Sequence, residues 1–261
     1  MARVFGHFGE LMQGRIGPLG PVGLITLPCP VLWAEAALVP SSAFSLYQKL
    51  PIVPPAQLYR LLKSLKLNTS GRYRLNLTML AGGGAGASTA ALMALVKAAG
   101  ATDTQSIIAA VLAEEGASDP LLFDAPERLL WASRQGKVLA HLPSLPRFDI
   151  IGGFWGPVQR TDPNDHDFPD ISDLLSDWPG AGLSQMAQLT SQSALRTLAL
   201  RGPQNDPTKA LACDLGALGF TIAHTGTARG LIFAPGMVPK TAATALRVHG
   251  FSRITQFKCG G

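Results

Sequence analysis

The chain has 261 residues, 47% of them apolar and 15% charged, with 28 Gly, 20 Pro and a mean hydropathy of +0.21. That length buries a core without covalent staples, and the low charge excludes a disordered chain. A net charge of +5 suits a phosphorylated ligand as well as a nucleic acid and selects neither.

Cys29, Cys213 and Cys259 lie far apart, make no C-x-x-C pair and are odd in number, so free thiols in a reducing cytoplasm are expected. The opening Met1-Ala2-Arg3-Val4-Phe5-Gly6-His7 lacks the long apolar core of a secretory signal. Residues 75–96 carry no charge, yet four glycines, Asn76, Thr78, Ser88 and Thr89 interrupt them, so no membrane span is expected there.

Residues 22–39 are apolar and broken by Pro28 and Pro30, which predicts short edge strands and turns. Leu58, Leu61, Leu62 and Leu65 fall at helical spacing within 57–67. Tyr73, Leu75, Leu77 and Met79 then alternate with Arg74, Asn76 and Thr78, a half-buried strand. A glycine run, 81–89, leads into a helix with Leu92, Leu95, Val96 and Ala99 on one face, Lys97 in its last turn and Gly100 as its stop. Another helix runs from Asp103 to Gly116, and the Pro-punctuated segment 142–147 is the expected domain joint.

The second half opens on an apolar strand, 148–154. Six aspartates within 162–177 lack the spacing and glycine of a calcium loop and are expected as a solvated loop entering a short helix. Helices are predicted over 184–200, 206–218 and 238–249, with a Gly-centred hairpin at 220–233 and a last strand at 252–257. No internal repeat is visible. Strands and helices mix without strict alternation, which indicates the α+β class rather than a doubly wound sheet.

The run Ala81-Gly82-Gly83-Gly84-Ala85-Gly86-Ala87-Ser88-Thr89 has no lysine before Ser88, so it is not a Walker loop. Gly82, Gly84 and Ala87 match a dinucleotide-binding turn formally, but the preceding strand alternates instead of being buried on both faces. A glycine loop feeding a helix N-terminus offers free N–H groups and the positive end of a helix dipole to a phosphate, with a Ser88 hydroxyl in reach of a magnesium ion. The alternative is a tight Gly/Ala helix packing with no ligand. Glu114, Glu115 and Asp119 cluster at a negative helix end, which reads either as a solvated terminus or as carboxylates awaiting a divalent cation.

Taken in order, these segments resemble the motifs of the GHMP kinase superfamily, in particular its bacterial L-threonine kinase branch (propanediol utilisation and cobalamin-related). The resemblance rests on Gly6-His7-Phe8-Gly9-Glu10-Leu11-Met12-Gln13-Gly14 with Leu27-Pro28-Cys29-Pro30-Val31, on 82–90, on 187–194 and on the hairpin Ala223-His224-Thr225-Gly226-Thr227-Ala228-Arg229-Gly230-Leu231-Ile232-Phe233. Ala85 and Ala87 stand where the family loop usually has Leu and Ser, and Glu115 and Asp119 are one residue further apart than in the branch's E-P-T-D.

The resemblance implies an α+β, two-domain fold: a ribosomal-protein-like nucleotide-binding domain over 1–145 and a ferredoxin-like domain over 146–261, with the site between them. It implies ATP and Mg²⁺ as cofactors. Gly82, Gly83, Gly84, Ala85, Gly86, Ala87, Ser88 and Thr89 would hold the nucleotide. Ser88 and Glu115 would hold the metal, with Glu114 as the alternative ligand, and Asp119 would be the catalytic carboxylate. Glu10, Gln13, Thr225, Gly226 and Thr227 would face the acceptor, a small molecule, L-threonine or another small alcohol. His224 is expected as a core histidine, and Arg229 either meets phosphate or solvates the hairpin. A nucleotide-binding relative without turnover stays open, as does a homodimer. RNA binding, suggested by a pI near 9.3, is disfavoured because basic residues are scattered and only 7% of residues are aromatic. Neither nucleic acid nor membrane is an expected partner.

Overall fold

A computed structural model describes residues 1–158, 162, 165 and 167–261. The chain begins with two long antiparallel strands, β1 (Ala2–Arg15) and β2 (Val22–Val39). The break expected at Pro28 and Pro30 does not occur. β2 runs through both prolines because its register against β1 jumps there, from Phe5↔Trp33 to Gly6↔Cys29. Residues 30–32 bulge out of the ladder, and a bulge tolerates a residue with no N–H to give.

A short strand that the sequence pattern concealed, β3 (Phe44–Gln48), lies parallel to β4 (Gly71–Leu77), with helix α1 (Pro55–Ser64) as the crossover. α1 opens on a proline and buries Leu58, Leu61 and Leu62, the stripe its spacing predicts. Helix α2 (Ala87–Ala98) is buried on every side from Ala90 to Val96, so it is an interior helix rather than an amphipathic one. In α3 (Thr104–Glu115) the Asp103 carboxylate accepts from the Ser106 N–H at 2.8 Å, and Gly116 closes the helix at φ 71°. A hairpin, β5 (Leu129–Ala132) and β6 (Lys137–His141), attaches to the start of β2 through Gly23↔Ala132.

The remaining elements are β7 (Phe148–Phe154), α4 (Ser172–Ser176), α5 (Leu183–Arg201), α6 (Thr208–Asp214), β8 (Gly219–Ile222), β9 (Ala228–Phe233), α7 (Ala242–Val248) and β10 (Ser252–Cys259). Their strands are ordered β10-β7-β9-β8, all neighbours antiparallel. With α5 after β7 and α7 after β9, this is the β-α-β-β-α-β arrangement of ferredoxin-like folds. The sheet continues through one residue pair, Glu10↔Ile222, into β1-β2-β4-β3. β1 is buried from Gly6 to Gly14, with α2 and α5 both packed on it. Phe8 meets the ring edges of Phe154 and Phe257 at 5.5 and 5.7 Å, which ties β1 to β7 and β10. The three cysteines are free. Among the described residues no helix is long and apolar enough to cross a membrane.

Candidate active site

Gly82, Gly84 and Gly86 have φ of 70°, 72° and 68°, a region glycine enters without penalty. The loop they form lies against the turn between β8 and β9. The Thr227 and Ala228 N–H groups donate to the Gly83 carbonyl at 3.0 and 2.9 Å, and the His7 N–H donates to Ala85 at 3.2 Å. A Cβ on Gly84 would run into the Thr225 carbonyl, and one on Gly226 into the backbone of Gly84. The glycines therefore let two backbones close on each other. α2 starts from Gly86 with no side-chain cap, so its first N–H groups lack intrahelical and capping partners. Gly82, Gly84 and residues 85–89 line a cleft of about 320 Å³.

Two further side chains enter the cleft from a bulge. In a regular strand His7 and Glu10, three residues apart, would point to opposite faces. The register of β1 against β2 shifts between them, with Gly9 at φ +80°, and both side chains turn the same way. His7 Nδ1 lies 3.4 Å from Glu10 Oε1, and His7 Nε2 lies 3.5 Å from Asp119 Oδ2. Burial alone would push the His7 imidazole down, but the carboxylates of Glu10 and Asp119 outweigh it and hold it well above its ordinary value. Burial pushes the Glu10 carboxyl up. A Cβ on Gly86 would sit 2.8 Å from the His7 ring and 3.1 Å from Asp119 Oδ2, so glycine is needed there as well.

The C-terminus of α3 meets the N-terminus of α2. Glu115 accepts from the hydroxyls of Ser88 and, at 3.2 Å, Thr89. The positive end of α2 offsets the unfavourable end of α3 on which Glu115 sits. Burial still pushes its carboxyl up to about 7. Glu114 also lines the cleft but is bound in two places by Arg60 on α1, at 3.1 and 2.7 Å. The 117–119 segment that carries Asp119 is fixed by β5: Trp131 Nε1 donates to the Ser118 carbonyl at 2.7 Å, and the Ser118 N–H donates to Ser133 at 2.9 Å.

Thr225 lines the cleft, whereas Gly226 and Thr227 back the glycine loop. Gln13 is fully buried away from the cleft lining. Its side-chain amide donates to the Ile222 carbonyl at 3.1 Å and its backbone N–H to Ser193 Oγ at 2.9 Å, which holds β1 between β8 and α5. Arg229 neither meets the cleft nor solvates the hairpin. It is buried, paired with Asp206 at 2.7 Å, and donates to the Gly226 and Ala228 carbonyls. His7, Ser118, Ser133 and Arg134 also line the cleft, and no local sequence signal marks them. A polar loop was expected over 162–177. Residues 163, 164 and 166 lie outside the described ones, while Asp162 and Asp165 offer carbonyls to Arg134.

No protein-family model matches the sequence, and no curated protein matches it. Solved structures do match, over nearly the whole chain. The homoserine kinase from Cytophaga hutchinsonii is 16% identical over 99% of this chain and 94% of its own, with a TM-score of 0.63. The L. major mevalonate kinase in complex with R-mevalonate is 13% identical over 99% and 96%, with a TM-score of 0.64. The chain has the GHMP kinase fold. That fold does not by itself name the reaction. Mevalonate pyrophosphate decarboxylase from Streptococcus pyogenes shares it at a TM-score of 0.61, 12% identical over 98% of this chain and 96% of its own. Within the GHMP kinase fold of this chain, the cleft residues come from β1, the loop before α2, the end of α3, the segment after β5 and the β8–β9 turn.

Proposed function

We propose that the protein transfers the γ-phosphoryl group of ATP to the hydroxyl of a small molecule, with L-threonine as the acceptor the motif resemblance favours. The observation that carries this reading is that one cleft holds the glycine loop, the uncapped start of α2, Ser88, Glu115 and Asp119. Backbone N–H groups at the loop and helix start suit a chain of phosphates, and glycine keeps side chains out of their way.

Mg²⁺ fits the donor set. Among the described residues no three His, Cys, Asp or Glu side chains cluster as a metal site, so phosphate oxygens would have to complete the shell. Ser88 and Glu115 supply the hydroxyl and carboxylate oxygens a hard cation takes, and the burial of Glu115 is what such a charge would relieve. The ion would neutralise phosphate charge. Glu114, held by Arg60, is the weaker candidate.

Asp119 keeps 20% of its side chain accessible and faces the cleft. Its carboxylate is aimed by His7, which is itself held by Glu10 from the other ring nitrogen. Asp119 orients the acceptor hydroxyl and takes its proton as the oxygen bonds to the γ-phosphorus and the bond to the β–γ bridging oxygen breaks, which releases ADP. Such chemistry asks the protein mainly for alignment and charge stabilisation.

ADP release with ATP, Mg²⁺ and a panel of amino acids and alcohols tests the reading. Threonine-dependent release is the expected result. Turnover on a different alcohol reassigns the acceptor and keeps the kinase. Stabilisation by ATP without turnover on any acceptor leaves a nucleotide-binding protein and rejects the enzyme.

A further inference from the structure

The turn that closes on the glycine loop is held from behind by a buried ion pair that the chemistry above does not use. Arg229 Nε donates to Asp206 Oδ2 at 2.7 Å, with both side chains buried. The other oxygen, Asp206 Oδ1, accepts from the Thr208 N–H at 2.9 Å and from the Thr208 hydroxyl at 2.5 Å, which fixes the carboxylate to the start of α6. From Nη1 the guanidinium donates to the carbonyls of Gly226 and Ala228 at 3.1 and 3.0 Å. Neither Arg229 nor Asp206 lines the cleft.

The Gly226 carbonyl and the Thr227 N–H belong to one planar peptide, and that N–H donates to the Gly83 carbonyl at 3.0 Å. A single rigid unit thus has Arg229 on one edge and the glycine loop on the other. The Ala228 N–H adds a second bond to the same Gly83 carbonyl at 2.9 Å. A trans peptide points its N–H opposite to its carbonyl, so tying the Gly83 carbonyl to the turn directs the Gly84 N–H away from the turn. Gly84 lines the cleft and Gly83 does not. Gly226 sits at φ 105° with no side chain of its own to stiffen the turn, so the fixing has to come from outside. Stability alone is a weak reason for a buried ion pair, because apolar residues of similar volume often serve as well. Geometry is a better one: a planar guanidinium fork reaches a carboxylate and two carbonyls at once.

We propose that Arg229, aimed by Asp206, is a positioning residue for the nucleotide: it fixes the 226–227 peptide, which in turn sets the amides of the glycine loop. The inference rests on the reading of that loop as a phosphate site and on nothing about the acceptor. The path runs from Thr208 through Asp206, Arg229 and the turn to Gly83, so a change outside the cleft acts on what the cleft binds.

Calorimetric titration with ADP, well below the unfolding temperature of each sample, tests this without turnover. Arg229→Met combined with Asp206→Asn removes the pair and leaves no unpaired buried charge. ADP is expected to bind this double variant about 10-fold more weakly, within the range that residues remote from a ligand exert on it. Arg229→Lys, which keeps a cation beside Asp206, is expected to recover part of the loss. Leu246→Ala is the control: it opens a cavity in the buried face of α7, in the same half of the chain, and should lower Tm at least as much while ADP affinity stays unchanged. Unchanged ADP affinity in the double variant overturns the proposal. An equal loss in Leu246→Ala overturns it too, because general destabilisation would then account for the effect. If the double variant does not fold, Asp206→Asn alone is held to the same standard, since it keeps an oxygen for Thr208 and removes only the charge that aims Arg229. Failure of the unaltered protein to bind ADP overturns both this inference and the phosphate-loop reading. If the double variant loses ADP affinity as expected and no acceptor is turned over, the kinase reading fails and the positioning role stands.

Discussion

Two regions of the cleft are built from different materials. One is backbone: a glycine loop closed on a β-turn, with the first amides of α2 behind it. The other is side chain: His7 and Glu10 from β1, Glu115 from α3, and Asp119, Arg134 and His224 from the segments after α3, β5 and β8. A backbone surface is suited to a ligand group that many substrates share, and it tolerates almost no change, because a Cβ on Gly84, Gly86 or Gly226 meets a neighbour. A side-chain surface is free to vary in chemistry while the fold stays. The difference separates what binds from what reacts, and it can be attacked from either side.

The largest effect is expected on the side-chain face. Asp119→Asn removes the group that takes the acceptor proton, and on the proposed chemistry turnover falls by about 10²- to 10⁴-fold. ADP binding, measured by titration, should stay within a few fold. An Asp119→Asn protein with full turnover would move the chemistry to another residue.

Gly84→Val attacks the backbone side. Its φ of 72° costs a side chain about 1–2 kcal/mol, and the new carbons run into the Thr225 carbonyl and Ala223. Since each kcal/mol moves Tm by about 2–4 °C in a chain of this size, a fall of at least about 4 °C is expected. ADP affinity should fall with it. Unchanged Tm and ADP binding would show that the loop does not need its close contact with the turn.

Between these sits a paired comparison at the end of α3. Glu115→Gln should weaken the Mg²⁺ dependence of ATP binding about 10-fold or more, because a ligand carboxylate becomes an amide. Glu114→Gln should leave it unchanged, because Arg60 occupies that side chain. The reverse pattern would exchange the two roles.

The backbone side was also the legible one. A run of glycines, an Asp103 cap and a Gly116 stop are local signals, and α2, α3 and the β8–β9 hairpin fall where those signals put them. β3 was concealed because it is only five residues long and none of them is fully buried. The prolines of β2 misled because proline's rule concerns a regular ladder, and local sequence does not show that the partner strand shifts register there. Ser88, Glu115 and Asp119 showed as a loop hydroxyl and a carboxylate cluster at helix ends, whereas Glu10 was visible only through motif resemblance. His7 needed the bulge at Gly9 to be seen beside Glu10. Arg134 and His224 meet across 90 residues, a pairing no window of sequence reveals.

The smallest expected effect is a slope rather than a loss. His7 titrates at about 9 in the fold against 6.5 when free, because Glu10 and Asp119 outweigh the cost of burying its charge. Its contribution is complete below about pH 6.5 and is lost as pH rises through about 9. Burial raises Glu10 from 4.5 to about 8, so ionising it in the fold becomes an increasing cost over that span. Both groups hold more protons folded than unfolded, so both lower stability as pH rises. The carboxyls of Asp103, Asp170 and Asp173, held low by Ser106, Ser172 and Arg196, act in the opposite sense but only under acid conditions, and do not overlap this window. Thermal unfolding of the ligand-free protein should therefore show Tm declining from about pH 7.5 to pH 9, above the range in which His224, kept neutral by burial, acts in the opposite sense. His7→Gln should flatten part of that decline. An unaltered slope in His7→Gln would mean that the imidazole is not held charged between the two carboxylates, and Asp119 would then owe its orientation to the β5 contacts of its own segment alone.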